Sequence, residues 1–129
     1  VVARDIRARG LGLRHPDRSY WPSVKYHVGL NRCLLVQAVP TAIARDASGS
    51  VDTRFAGGLA VFDAPDPWGP WTTARYAEHW DVAPGDSAGF PTKWSSADGR
   101  TLHLVFSGGD GFCVRRAEVL LRSEAPASW

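Results

Sequence analysis

Trp21-Pro22-Ser23-Val24-Lys25-Tyr26-His27-Val28-Gly29 opens a unit that returns later in the chain. Its second copy starts at Phe90-Pro91-Thr92, and from Pro22 to Pro91 the period is 69 residues. Each start leads into an extended piece and then a glycine turn, at Gly29 and at Gly99. An apolar strand follows in both, Leu34-Leu35-Val36 in one and Leu102-His103-Leu104-Val105 in the other. An aromatic-Pro-[Ser/Thr] start, a hairpin and further strands make one four-stranded antiparallel sheet per repeat. Radially repeated sheets of this size are propeller blades. An open β-sandwich of seven or eight strands is the rival architecture; composition does not separate the two, and the repeat favours blades.

The rest of the chain is punctuated as many short strands require, with 13 Gly and 9 Pro spread along its length. Residues 3–9 are the best helical candidate, with Ile6 their only large apolar side chain, and read as a short helix or a strand remnant. Residues 23–27 read as extended, residues 29–31 as a turn, and residues 32–39 as a strand with little alternation, buried on both faces. Residues 44–53 read as an exposed polar loop and residues 58–63 as a further strand. Three prolines in Ala64-Pro65-Asp66-Pro67-Trp68-Gly69-Pro70 remove three ladder donors and exclude regular structure there. Strands are expected again at residues 71–78, 101–107 and 112–122, an extended piece at 90–95, and tight turns at 96–99 and 108–111. The whole reads as one all-β unit over residues 1–129, with a first blade at 15–78, a second at 79–122 and a loose tail at 123–129.

Composition sets outer limits on function. The chain has 129 residues, 44% hydrophobic and 22% charged, the proportions of a globular domain. A net charge of +2, from 15 basic and 13 acidic residues scattered evenly, is no nucleic-acid footprint. No apolar run is long enough to cross a bilayer, so no membrane partner is expected. No basic segment followed by an apolar one opens the chain, so no signal peptide is read at its start. The absence of Met, with Val1-Val2 at the start, points to a processed, truncated or excerpted chain. Cys33 and Cys113 make no disulfide framework and read as small apolar residues, a single bridge being the alternative.

At the residues of the repeat the chain resembles a known group. The pattern x-Pro-Ser-Val-x-Tyr-x-x-Gly before an apolar strand is similar to the inner hairpin of a blade in five-bladed glycoside hydrolase propellers, the arabinanases and β-xylosidases among them. Gly58-Leu59-Ala60-Val61-Phe62-Asp63-Ala64-Pro65-Asp66-Pro67-Trp68-Gly69-Pro70-Trp71-Thr72 resembles the outer hairpin of such blades. Together with Phe90-Pro91-Thr92-Lys93-Trp94 and Leu104-Val105-Phe106-Ser107-Gly108, it looks like the C-terminal end of a bacterial propeller family that includes relatives of endo-D-arabinanases. The resemblance runs from Arg14 to Arg122. It implies a carbohydrate-active, arabinanase-like protein of extracellular or periplasmic location, of which this chain supplies two blades and the edge of a third. In that family the catalytic carboxylates often stand immediately before the inner-strand Pro. Here Trp21 and Phe90 hold those positions. The resemblance therefore implies late blades that line the cleft, with the acid and base outside this chain.

The residues themselves point the same way. Glycoside hydrolysis takes two carboxyl groups roughly 5–10 Å apart, and only three Glu occur, Glu78, Glu118 and Glu124. Of the Asp, Asp46, Asp52 and Asp98 read as turn residues, Asp63 and Asp66 as caps of the Pro-rich turn, and Asp17, Asp86 and Asp110 as loop residues able to face a cleft. No catalytic residue is assigned. Sugar binding is better supported, because sugar C–H faces stack on aromatic rings while hydroxyls take planar polar partners. Arg18, Tyr20, Trp21, Phe90, Asp110 and Phe112 are the expected substrate-binding residues. The competing role for Trp21 and Phe90 is packing between blades; for Trp68 and Trp71 it is packing of the turn, while Trp80 and Trp94 are open. The four His share no ligand spacing, and no phosphate loop or nucleophile elbow occurs, so neither metal nor cofactor is expected. The expected partner is a polysaccharide or oligosaccharide. A structural or protein-binding propeller segment without a sugar ligand is the alternative. Two blades alone leave sheet faces and edges open, which predicts a homodimer or docking with the missing blades of a longer chain.

Overall fold

The computed structural model describes residues 20–39, 57–77, 80, 87–108 and 111–121. These form seven strands in two antiparallel sheets, with no α-helix among the described residues. The first sheet holds β1 (Tyr20–His27), β2 (Arg32–Val39), β3 (Gly58–Ala64) and β4 (Thr72–Ala77), in that order. The second holds β5 (Ala88–Gly89), β6 (Thr101–Phe106) and β7 (Cys113–Glu118), also in chain order. Both are meanders in which each strand pairs with its sequence neighbour. The second sheet thus has three strands where the repeat predicts four, and no closed sheet forms among the described residues. The helical candidate at residues 3–9, the loop at 44–53 and the tail at 123–129 lie outside the described residues.

Burial explains why β2 lacks alternation. Leu34 and Val36 on one face join Leu59 and Val61 of β3 in a core shared with the second sheet. Cys33 and Leu35 on the other face join Ala60, Phe62, Ala64 and Trp71 in a separate cluster. Both faces of β2 and β3 are therefore dry, and apolar side chains occupy both. The edge strands differ: Val24, Lys25 and Tyr26 of β1 and Ala74 and Arg75 of β4 are exposed. The β1–β2 connection is a short 3-10 turn, Val28–Leu30, closed by Asn31 in the left-handed region at φ 50°. Asn31 tolerates that conformation, and the Tyr26 hydroxyl donates to its Oδ1 at 2.6 Å. At the far side of the sheet, Arg32 donates to Asp63 Oδ2 through Nε (2.9 Å) and Nη2 (2.5 Å), and Thr72 donates to Asp63 Oδ1 at 2.6 Å. Asp63 thus ties β2, β3 and β4 together and does not cap the Pro-rich turn as expected. That turn is irregular, with a cis bond at Gly69–Pro70 and Gly69 N–H donating to the Asp66 carbonyl at 2.9 Å.

In the second sheet β6 alternates as its sequence predicts, with Leu102, Leu104 and Phe106 buried and Thr101, His103 and Val105 half-buried. The turn before it is closed by Gly99 N–H to the Ser96 carbonyl (2.9 Å). Residues 90–95 are not extended throughout. β5 ends at Gly89, Phe90 turns into the core, and Pro91 leads into a 3-10 turn, Thr92–Trp94. Pro91 has no N–H to give a neighbouring strand. Its carbonyl instead receives Trp94 N–H at 3.1 Å and the Ser95 hydroxyl at 3.3 Å. The Trp94 carbonyl lies 2.7 Å from His103 Nδ1, so that nitrogen carries the proton and donates. β7 also stops short of the expected 112–122: it spans Cys113–Glu118, one further in-register bond joins Val119 N–H to the Arg100 carbonyl at 2.9 Å, and Leu120 and Leu121 beyond it are exposed.

The sheets meet face to face. Leu34, Val36, Leu59 and Val61 from the first pack on Ala88, Phe90, Leu102, Leu104 and Phe106 from the second. Their turns also interlock. A Cβ on Gly29 would fall inside the Ala97 carbonyl oxygen and the Gly99 nitrogen, and Gly99, at φ +70°, offers its bare Cα to Leu30. His27 sits at this junction, 2% exposed, its ring edge-on to Phe90 at 6.3 Å and its Nδ1 3.3 Å from the Ser95 hydroxyl. Its Nε2 is buried without a partner, and burial lowers its pKa below the usual value of 6.5. Trp80 closes one side of the core, packed on Phe106 at 5.0 Å with the Arg115 guanidinium over its ring. Cys33 and Cys113 are both free thiols; Cys33 is buried in the outer cluster and Cys113 borders the shared core.

Candidate ligand groove

Where β1 faces β5, the two sheets approach closely at Gly89 and Ser23. A Cβ on Gly89 would lie 2.8 Å from Ser23 Oγ. Next to that contact an open groove of about 950 Å³ runs between the two sheets. Ser23 and Lys25 line it from β1; being two residues apart on a strand, they share a face. Phe90, Pro91 and the turn Thr92–Trp94 line it from the second sheet, together with Phe112. The 3-10 turn is what places Lys93 and Trp94 here, since an extended 90–95 would have carried them along the sheet. Trp94 is 47% exposed and Phe112 75% exposed, so two aromatic faces are open beside the hydroxyl groups of Ser23 and Thr92.

Of the expected substrate-binding residues, Phe90 and Phe112 come together in this groove. Phe90, only 6% exposed, belongs to the shared core and packs between the sheets, the competing role it had in the sequence. It supports the groove from behind and offers no free face. Tyr20 and Trp21 lie on β1, upstream of Ser23, and only their place on the strand is described. Arg18 and Asp110 lie outside the described residues, as do Asp17 and Asp86. Trp71 is buried, as turn packing predicts, whereas Trp68 is 78% exposed. Lys25 and Lys93 line the groove although the sequence assigns them no role, and Trp94, open between roles in the sequence, lines it too. A signal existed: the two lysines are the only ones in the chain, and each follows a repeated Pro within three residues.

The described carboxylates are committed elsewhere. Asp63 pairs with Arg32, and Glu118 with Arg116 at 2.9 Å. Asp98 accepts from the Ser96 hydroxyl (2.6 Å) and from Arg100 N–H (3.0 Å), and these bonds hold its carboxyl below the usual carboxylate range. Asp66 is exposed in the Pro-rich turn. None of the four lines the groove. Among the described residues no group of three or more His, Cys, Asp or Glu could hold a metal, and no helix is long and apolar enough to cross a membrane. The groove is thus equipped for binding by stacking, hydrogen bonding and positive charge. Comparison of the chain with profiles of known protein families, with curated proteins and with solved structures finds no match.

Proposed function

We propose that the groove binds a glycan and that the two sheets are consecutive blades of a β-propeller, the chain being a carbohydrate-contacting segment of a glycoside hydrolase-like protein. The observation that carries the binding reading is the pair of open aromatic faces, Trp94 and Phe112, beside hydroxyl groups in one groove. Sugar rings stack on such faces and their hydroxyls bond to such neighbours. Blades are supported over a Greek-key sandwich by connectivity, since each sheet is a meander in chain order and no described strand changes sheet. The acid and base of hydrolysis come from elsewhere in this reading, as the described carboxylates lie away from the groove lining.

Titration with arabinan and xylan oligosaccharides, followed by tryptophan fluorescence, tests the reading. Trp94 reports directly, and Trp94→Ala weakens binding about tenfold, or about 1.4 kcal/mol. Fluorescence that stays flat with every glycan overturns it in favour of a structural or protein-binding segment. Exposed Val114, Leu120 and Leu121 on and after β7 favour burial against further blades or a second copy. Light scattering showing a monodisperse monomer at high micromolar concentration counts against that association.

A further inference from the structure

We infer that the groove takes an oligosaccharide bearing carboxylate groups, with Lys25 and Lys93 as the residues that select it over neutral glycans. The inference rests on the glycan reading and names the class of glycan. Thirteen of the chain's fifteen basic residues are Arg, and the two Lys both line this one groove from opposite sheets. Both are exposed, and among the described residues neither has a carboxylate partner. The described carboxylates sit on the Arg32 tie, the Pro-rich turn, the Ser96–Gly99 turn and β7, away from the groove lining. Asp86 and Asp110, next in sequence to Ser87 and Gly111 of the lining, lie outside the described residues.

Two cations facing one groove leave a positive field there that an anionic ligand completes. Lysine can meet a sugar carboxylate in more than one orientation. Its compact ammonium has three donors on a flexible stem and follows a carboxylate whose orientation changes from residue to residue along a glycan. The neighbouring Trp94 and Phe112 add the stacking faces that a sugar ring uses, which inorganic anions cannot exploit.

The test is binding of tetragalacturonate against xylotetraose and arabinotetraose, by calorimetry and tryptophan fluorescence, with the wild type, Lys25→Gln, Lys93→Gln and the double variant. Both lysines are exposed, so the glutamine variants keep the fold, and circular dichroism with thermal melts checks this. The expected result is tetragalacturonate binding at least tenfold tighter than the neutral sugars. That preference falls about tenfold between 50 and 500 mM salt as charge is screened, is reduced in each single variant and is lost in the double. Lys93→Arg, which keeps the charge, retains most of it. Neutral sugars that bind as well as tetragalacturonate, with no effect of either glutamine variant, overturn the charge selection and leave the glycan reading standing. No binding of any of the three sugars removes both readings. A single-stranded oligonucleotide that binds tighter than tetragalacturonate also overturns the inference, because it assigns the lysines and aromatic faces to bases and phosphates.

Discussion

Replacing Gly29 by alanine puts a methyl group where the facing turn already has backbone. The new Cβ would overlap the Ala97 carbonyl oxygen, the Gly99 nitrogen and the Asp98 carbonyl carbon. None of these atoms can rotate away, so one turn must retreat from the other. Forcing an extra group into a packed site costs about 1–3 kcal/mol, and three simultaneous backbone overlaps place Gly29→Ala near the top of that range. Against it stands the entropy that alanine removes from the unfolded chain, about 0.4–1 kcal/mol. The net expectation is a loss of about 2 kcal/mol. Two other glycines calibrate the measurement. At Gly89 the obstacle is the Ser23 hydroxyl, a side-chain atom at 2.8 Å that can turn aside, so Gly89→Ala costs about 1 kcal/mol or less. At Gly111 the nearest atom is the Gly108 carbonyl at an ordinary 3.5 Å, so Gly111→Ala is neutral or stabilising by up to about 1 kcal/mol. Urea unfolding followed by tryptophan fluorescence resolves this series, since with a slope of about 1.5 kcal/mol/M the Gly29 midpoint falls by about 1 M. If Gly29→Ala unfolds at the same urea concentration as Gly111→Ala, the two turns do not interlock and the packing of the sheets described above is wrong.

His27 makes stability depend on pH. Its folded pKa lies below the ordinary 6.5 because burial disfavours the cation, so the unfolded chain binds the proton more readily. Stability is then full above pH 6.5 and falls as pH drops through that value, by at most about 1.4 kcal/mol per pH unit, levelling off below the folded pKa. His27→Leu removes this component, and equal pH slopes for both proteins between pH 7 and 5 would refute the assignment. Asp63→Asn keeps the shape of the three-strand tie and removes its charge. With Arg32 and Asp63 partly solvated, at 38% and 24% side-chain exposure, the expected loss is about 1 kcal/mol, read as a melting shift of about 4 °C. A thiol reagent should label Cys113 in the native protein and reach Cys33, which is 1% exposed, only on unfolding; equal labelling rates count against the burial of β2.

Much of the fold is legible because local chemistry dictates it. The apolar run Cys33–Val36 in β2 signals burial on both faces, alternation from Thr101 to Phe106 signals a half-buried strand, and three prolines exclude a ladder between Ala64 and Pro70. The misreadings arise where tertiary packing overrides similarity. Pro22 lies within β1 at a register shift, whereas Pro91 lies just past β5, so similar tripeptides have unequal surroundings. Phe90 goes to the core because His27 and Leu104 are there to receive it, and the chain behind it has to coil. The groove was legible only in part. Aromatic character marked Phe112, but nothing local to Lys25 or Lys93 shows that strands from two sheets converge beside them. Such a site exists only through the packing of the two sheets on each other.

The two dry faces of β2 have a consequence for how the chain finds its pairing. In most strands a slip of one residue is self-correcting, because it would turn apolar side chains to water and polar ones inward. A slipped β2 would exchange Leu34 and Val36 for Cys33 and Leu35, trading one set of greasy groups for another. Polarity therefore carries little phase information along Cys33–Val36, Gln37 being the one buried polar side chain of the strand. The phase has to be written at its start, by the Arg32 guanidinium, which meets Asp63 in one alignment only, and by the Asn31 turn that fixes where β2 begins. Substitutions at those few polar positions are thus expected to yield chains that are still rich in β-structure but paired out of step.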